Sequence, residues 1–342
     1  MANRSIYSTL TALAAAAVML VTPSCHSIDN YDNTVNDNFQ LLWELFDEHY
    51  CFFREKGVDW DSVYNVYRPR ALACRTQAEL FNTCADMVNE LRDGHVNIAS
   101  AFNTSYYREW WSGYPQNFNQ RVLDQYYLYF NQHSVGGSTY AVLLPNVGYI
   151  RIPTFTNGIG QGNIDYIFNY LATCQGLIID VRNNGGGSME NVEQWVQRFI
   201  DKKTLMGYIS HKTGPGHDDF SEPYAYYYAP PAGRQCWTEK PIVVLANRST
   251  FSAANNFVSV MKLLPNVTVI GDTTGGGSGM PLSFELPVGW SVRMSAAPVL
   301  DAEGHTTEFG VEPTIHVDNP PEQEAAGHDN ILDTAIALLS NC

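Results

Sequence analysis

The chain has 342 residues, 45% of them hydrophobic and only 16% charged, with a net charge of −15. That length calls for two or three folded units with ample apolar material for a core. The acidic balance excludes nucleic-acid binding, which needs clustered Lys and Arg, and the cysteines show no metal-type spacing, so neither a metal nor a cofactor is expected.

The first segment reads as an export signal. Arg4 supplies a small basic region, and Leu10 to Val21 is an apolar run too short to span a bilayer. Thr22-Pro23-Ser24-Cys25 follows, which predicts a signal peptide over 1–24 and lipidation of Cys25. Cleavage without lipid is the alternative. Residues 25–38 form a polar tether. The expected location is outside the cytoplasm, lipid-anchored to the bacterial cell envelope on the periplasmic or surface side of an outer membrane. The other six cysteines contain no CxxC pair and are expected as free thiols.

Residues 39–96 predict a small helical domain. Phe39, Leu42, Leu45 and Phe46 recur at helical spacing, as do Leu80, Phe81, Cys84, Met87, Val88 and Leu91. Asp59 stands as an N-cap between them. Residues 97–146 are rich in Tyr, Trp, Asn and Gln and carry no long periodic helix. They read as a β-rich insert or lid, and their aromatic residues could line a substrate wall.

From 147 to 342, strands and helices alternate, which argues an α/β layered core. Strands are expected at 148–152, 177–181, 205–210, 242–246 and 267–270. Helices are expected near 188–201, 252–264 and 329–340, and a hairpin at 282–294.

Four segments carry chemistry. The strand Ile242–Ala246 runs into a polar turn and a helix starting at Ser252, followed by Ala253 and Ala254. A hydroxyl placed there sits among free N–H groups at the positive end of a helix dipole, where an alkoxide or oxyanion is stabilised. Serine is also a common N-cap, so the segment alone leaves both roles open. The second segment, Leu177 to Ser188, ends a buried strand in Gly185-Gly186-Gly187. Such a run can present N–H groups to an oxyanion or a phosphate, although neither P-loop nor GxGxxG spacing is present. The third is Asp93-Gly94-His95. The fourth is Glu308-Phe309-Gly310-Val311-Glu312-Pro313. Alone, His95 reads as a structural histidine and Glu308 as a solvated charge.

In order, DGH, IIDVRNNGGG, STFSAAN, GDTTGGGSG and EFGVEP resemble the serine peptidase family of the C-terminal processing proteases and tricorn core proteases. The resemblance runs from about Phe39 to Val317 and includes Gly214-Pro-Gly-His-Asp-Asp-Phe220. It implies a crotonase-like sheet-and-helix sandwich behind a helical N-terminal domain, and a serine peptidase acting on peptide or protein substrates. It implies Ser252 as nucleophile, His95 as base, Glu308 as the supporting acid, directly or through a polar side chain, and Gly186, or a neighbour in Gly185–Gly187, with Ala253 as oxyanion-hole donors. One branch of the family uses a lysine in a Gly-Lys-Gly triplet, and here Gly275-Gly276-Gly277 stands instead, which points to the tricorn-like branch. Asn255 and Asn256 replace an expected Glu, and no PDZ domain separates the helical unit from the core. These departures leave a second expectation, a catalytically inactive lipoprotein that binds peptides or apolar ligands on the same fold.

Overall fold

Thr34, Asp59 and Thr76 set where the N-terminal helices begin. The computed structural model describes residues 30–143 and 145–340; the expected signal segment and Cys25 lie outside them. Helix α1 (Val35–His49) starts four residues before Phe39, inside the expected tether, because the Thr34 hydroxyl accepts from the Asp37 N–H. After the single turn α2 (Phe53–Lys56), α3 (Trp60–Leu72) is capped by Asp59 and α4 (Gln77–Asn89) by a Thr76–Glu79 capping box.

The segment expected as an insert is divided among other units. Strand β1 (Asn97–Ala99) joins a small sheet; α5 (Glu109–Ser112) and α6 (Gln120–Val122), with a π-helical turn at Leu123–Tyr127, cross the surface. Strands β2 (His133–Val135) and β3 (Ser138–Leu143) belong to the main sheet, so the α/β core begins before residue 147.

The core continues through β4 (Val147–Arg151), α7 (Gln161–Tyr170), β5 (Gly176–Asp180) and α8 (Met189–Val196). After β6 (Thr204–Ile209) and β7 (Tyr224–Tyr228) come β8 (Ile242–Ala246), α9 (Ala253–Lys262) and β9 (Val267–Gly271). The hairpin β10 (Gly279–Glu285) and β11 (Ser291–Leu300) precedes β12 (Ile315–His316), α10 (Pro321–Ala325) and α11 (Asn330–Ser340).

Seven strands form the main sheet in the order β12-β9-β8-β5-β4-β3-β2, parallel except at β3 and β2. Period-two alternation splits its apolar residues between two layers. Leu177, Ile179, Ile242 and Val244 pack with residues of α7, α8 and α9, while Ile178, Val243 and Leu245 pack with Ile331, Leu332, Ala335 and Leu339 of α11. This is the sheet-and-helix sandwich the sequence predicts. A second, antiparallel sheet orders β1-β11-β6-β7, with β10 on β11. The helical unit does not close its own core: Leu286, Trp290, Val292 and Met294 of the β10–β11 hairpin complete it.

Fully buried Arg182 ties the turn after β5 to the start of α11, pairing with Asp180 at 2.6 Å and Asp329 at 2.8 Å. Cys51, Cys74, Cys84, Cys174 and Cys236 are free thiols. Among the described residues, no helix is long and apolar enough to cross a membrane.

Candidate active site

Ser252 sits where β8 ends and α9 begins, held from three sides. The Ser252 N–H donates to Gly276 O at 2.8 Å, the Phe251 N–H to Asn184 O at 3.0 Å, and the Thr250 hydroxyl to Val181 O at 2.9 Å. These contacts hold Ser252 at φ 58°, ψ −124°, a region that side chains other than hydrogen rarely occupy. The hydroxyl makes no capping bond to its own helix. It meets His95 Nε2 instead, at 2.9 Å, across 157 residues of sequence. The Ser252 hydroxyl thus does not serve as a side-chain cap of α9.

His95 arrives from the helical unit, just before β1. Asp93, fully buried, fixes its backbone: one carboxylate oxygen accepts the His95 N–H at 2.8 Å, and the other accepts the hydroxyls of Tyr50 at 3.0 Å and Ser295 at 2.9 Å. The imidazole packs on Phe251 at 4.7 Å between ring centres, and Trp110 stacks on the far side of Phe251 at 4.3 Å. Trp110 of the aromatic segment thus packs behind His95 through Phe251 and does not line the cavity at Ser252. Burial lowers the His95 pKa to about 4; the Asp93 carboxylate pulls it upward, while Arg293 and Lys56 add to the lowering. The ring is neutral at pH 7 and able to accept a proton.

Ser252 and Ala253 open onto a cavity of about 430 Å³, lined also by Gly187, Asn256, Gly277 and Met280. The Ala253 N–H has no partner among the described residues, as expected for an oxyanion donor. The expectation for Gly186 needs correction. Its N–H already donates to Asn184 Oδ1 at 2.9 Å, and its carbonyl accepts from the Phe155 N–H at 2.8 Å. Gly186 is a spacer: at φ 98°, a Cβ there would lie 2.8 Å from Ser252 Cβ and 2.9 Å from Ala253 N. The neighbouring Gly187 lines the same cavity, and its N–H has no partner among the described residues.

Just over half of the chain, residues 146–317, matches Peptidase family S41, and residues 31–89 match the Tricorn protease C1 domain. The chain belongs to peptidase family S41. A crystal structure of a putative peptidase from Parabacteroides merdae is 45% identical, covering 90% of this chain and 97% of that one with a TM-score of 0.85. Carboxy-terminal processing protease CtpA of Bacillus subtilis is 28% identical over 177 residues, 51% of this chain and 36% of that protein. Putative tricorn protease homolog 2 of Streptomyces coelicolor is 29% identical over 197 residues, 56% of this chain and 15% of that protein. The chain thus spans about a third, or less, of the length of these two relatives.

Within this S41 chain, Glu308 does not stand where a hydrogen-bonded triad needs it. One of its oxygens pairs with Lys56 Nζ at 2.8 Å and the other accepts the Ser278 N–H at 2.8 Å. His95 Nδ1 is buried without a partner among the described residues. The expected arrangement of Ser252, His95 and Glu308 is therefore a Ser252–His95 contact beside a separate Glu308–Lys56 pair. Burial raises the Glu308 pKa, Asp93 adds to the rise, and Lys56 opposes both. Nothing in the sequence marks Lys56, whose side chain is 5% exposed. Through its backbone, Glu308 also shapes the glycine run: the Gly277 N–H donates to Glu308 O at 3.1 Å, and a Cβ on Gly276 would lie 1.9 Å from that same oxygen.

The residues that depart from the family pattern are also placed. The Asn255 amide donates to Thr307 O and accepts the Thr274 hydroxyl, while Asn256 donates to the Tyr226 hydroxyl. Lys262 lies at the far end of α9, donating to Glu312 O at 2.7 Å.

Proposed function

We propose that this S41 chain is a serine-type endopeptidase that works through an acyl-enzyme on Ser252. The 2.9 Å contact between Ser252 Oγ and His95 Nε2 carries the reading. His95 takes the hydroxyl proton as Oγ attacks a peptide carbonyl, and the tetrahedral oxyanion forms against the N–H groups of Ala253 and Gly187. His95 then passes the proton to the departing amine, leaving an ester on Ser252. Water, deprotonated by His95, hydrolyses that ester and regenerates the hydroxyl.

Glu308 acts as a positioning residue. It holds Ser278 and Gly277, and the adjacent Gly276 carbonyl accepts the Ser252 N–H.

Nucleophile and base work as one unit, so Ser252→Ala and His95→Ala should each lower peptide turnover roughly a thousandfold or more, and the double variant little further. A fluorophosphonate probe should label the parent and not Ser252→Ala. A folded parent that neither labels nor turns over peptides would establish the inactive, ligand-binding alternative, which the unpartnered Nδ1 of His95 favours.

We also propose export and anchorage through a lipid on Cys25, resting on the apolar run that ends at Ser24-Cys25. A Cys25→Ser variant should leave the membrane fraction; equal retention of variant and parent would refute the anchor.

A further inference from the structure

A second, larger cavity of about 710 Å³ adjoins the catalytic one, and Met280 and Pro281 line both. Along β10 the catalytic cavity is lined by Gly279, Met280 and Pro281 and the second by Met280, Pro281 and Leu282, so the two follow one another on the strand and share a boundary. The second cavity is apolar on its sheet side, where Ile209, Tyr224, Leu282, Ala296 and Ala297 converge. Tyr224, Leu282 and Met280 are 44%, 50% and 42% exposed, so large apolar surfaces face water inside a concavity rather than packing on the protein. Strand β10 pairs only with β11 among the described residues, which leaves its outer edge open beside both cavities.

The opposite wall is Thr213, Gly214 and Pro215, the start of the Gly-Pro-Gly-His-Asp-Asp-Phe segment. That loop is braced. Lys212 Nζ donates to Gly216 O at 2.7 Å, Asp219 accepts the Gly216 N–H at 2.8 Å, and His217 pairs with Asp47 at 2.7 Å while stacking on Phe53 at 4.3 Å. A turn closed on itself by Lys212 and Asp219 and tied to the helical unit through His217 holds the wall in place before any ligand arrives, which reduces the ordering cost of binding.

We propose that this cavity is a specificity subsite that receives one bulky apolar side chain of the peptide, beyond the residues held in the cavity at Ser252. The occupant is the substrate because the cavity continues the catalytic one along the same strand, and the inference rests on the peptidase reading above. Leu282 and Ala297 are the specificity-determining residues, and the braced loop is the positioning element that keeps the cavity open.

The test uses fluorogenic peptides carrying Phe or Gly at the third and fourth positions on either side of the scissile bond. The parent should prefer Phe at one of these positions by roughly tenfold or more in kcat/KM, mostly through KM. In Leu282→Asp, which places a charge in the cavity, and in Ala297→Phe, which fills it, the Phe/Gly ratio should collapse towards one. The ratio is taken within each variant, so changes in overall rate do not disturb it, and melting curves report folding. Turnover without any Phe preference, or a preference that survives both substitutions, overturns the subsite. A parent that cleaves none of the peptides and is not labelled at Ser252 overturns the peptidase reading and the subsite with it.

Discussion

His95 shows how burial sets the chemistry of a single residue. An exposed histidine is largely protonated below pH 6, but with its pKa lowered to about 4 this one remains a free base well into the acid range. The acid limb of kcat/KM should therefore fall near pH 4 rather than near 6.5. Glu308, raised by burial, takes up its proton before His95 as pH falls, so a separate inflection above the histidine step is expected, and Glu308→Gln should remove it. A single acid limb at pH 6.5 would show that His95 is not held as described. Stability has its own sign. The folded His95 pKa lies below the unfolded value, so the unfolded chain binds more protons between the two. The stability present above about pH 6.5 is lost as pH falls towards 4. Ser252 is strained at the same scale. Its positive φ is held by the bonds of Phe251, Thr250 and its own N–H, none of which involves the reacting hydroxyl.

Elements with a strong period were legible. The apolar runs at 177–181 and 242–246 could only be buried strands, and Asp59 marked its helix start. Helix α7 was not expected, because Gln161, Gly162, Asn163 and Asn169 dilute its apolar face to Ile164, Ile167 and Phe168. Strand β7 was hidden in a tyrosine run whose alternation only its pairing with β6 reveals. In the site, the meeting of Ser252 with His95 was legible because motif order and helix placement agree. The bond from the Gly186 N–H to Asn184 was not, since it depends on where one N–H points. Nor was the partner of Glu308, which comes from the single-turn helix α2 in a different unit. That ion pair supports a prediction for the elements it joins. Glu308→Gln leaves Lys56 buried without a counter-charge and should cost about 3–5 kcal/mol of stability. Lys56→Met together with Glu308→Gln should recover much of it, since the Gln amide oxygen can still accept the Ser278 N–H and the Gly277 N–H keeps the backbone carbonyl of residue 308. Denaturant unfolding of the parent and the two variants measures this, and equal stability of single and double variants would refute it.

At the level of the whole molecule, the order of helical unit, insert and α/β core was visible in composition, but the boundaries were not, because apolar residues reveal burial without revealing what buries them. Val292 and Met294 read as one face of a hairpin; nothing local says that this face closes the helical unit. The consequence is measurable. Residues 30–96 expressed alone lack Leu286, Trp290, Val292 and Met294 and should give no cooperative unfolding transition, whereas adding residues 279–300 in trans should increase helical circular dichroism. A cooperative transition in the isolated segment would show that it folds by itself.

The bond from Ser295 to Asp93 also sets a schedule. During synthesis the histidine emerges early and the serine much later, yet the carboxylate that fixes the histidine gains its Ser295 partner only after both have been made. A ribosome holding a chain that ends before residue 295 therefore carries Ser252 and His95 without the hydroxyl that helps brace Asp93, so their 2.9 Å contact is expected to be set only after residue 295 has been made.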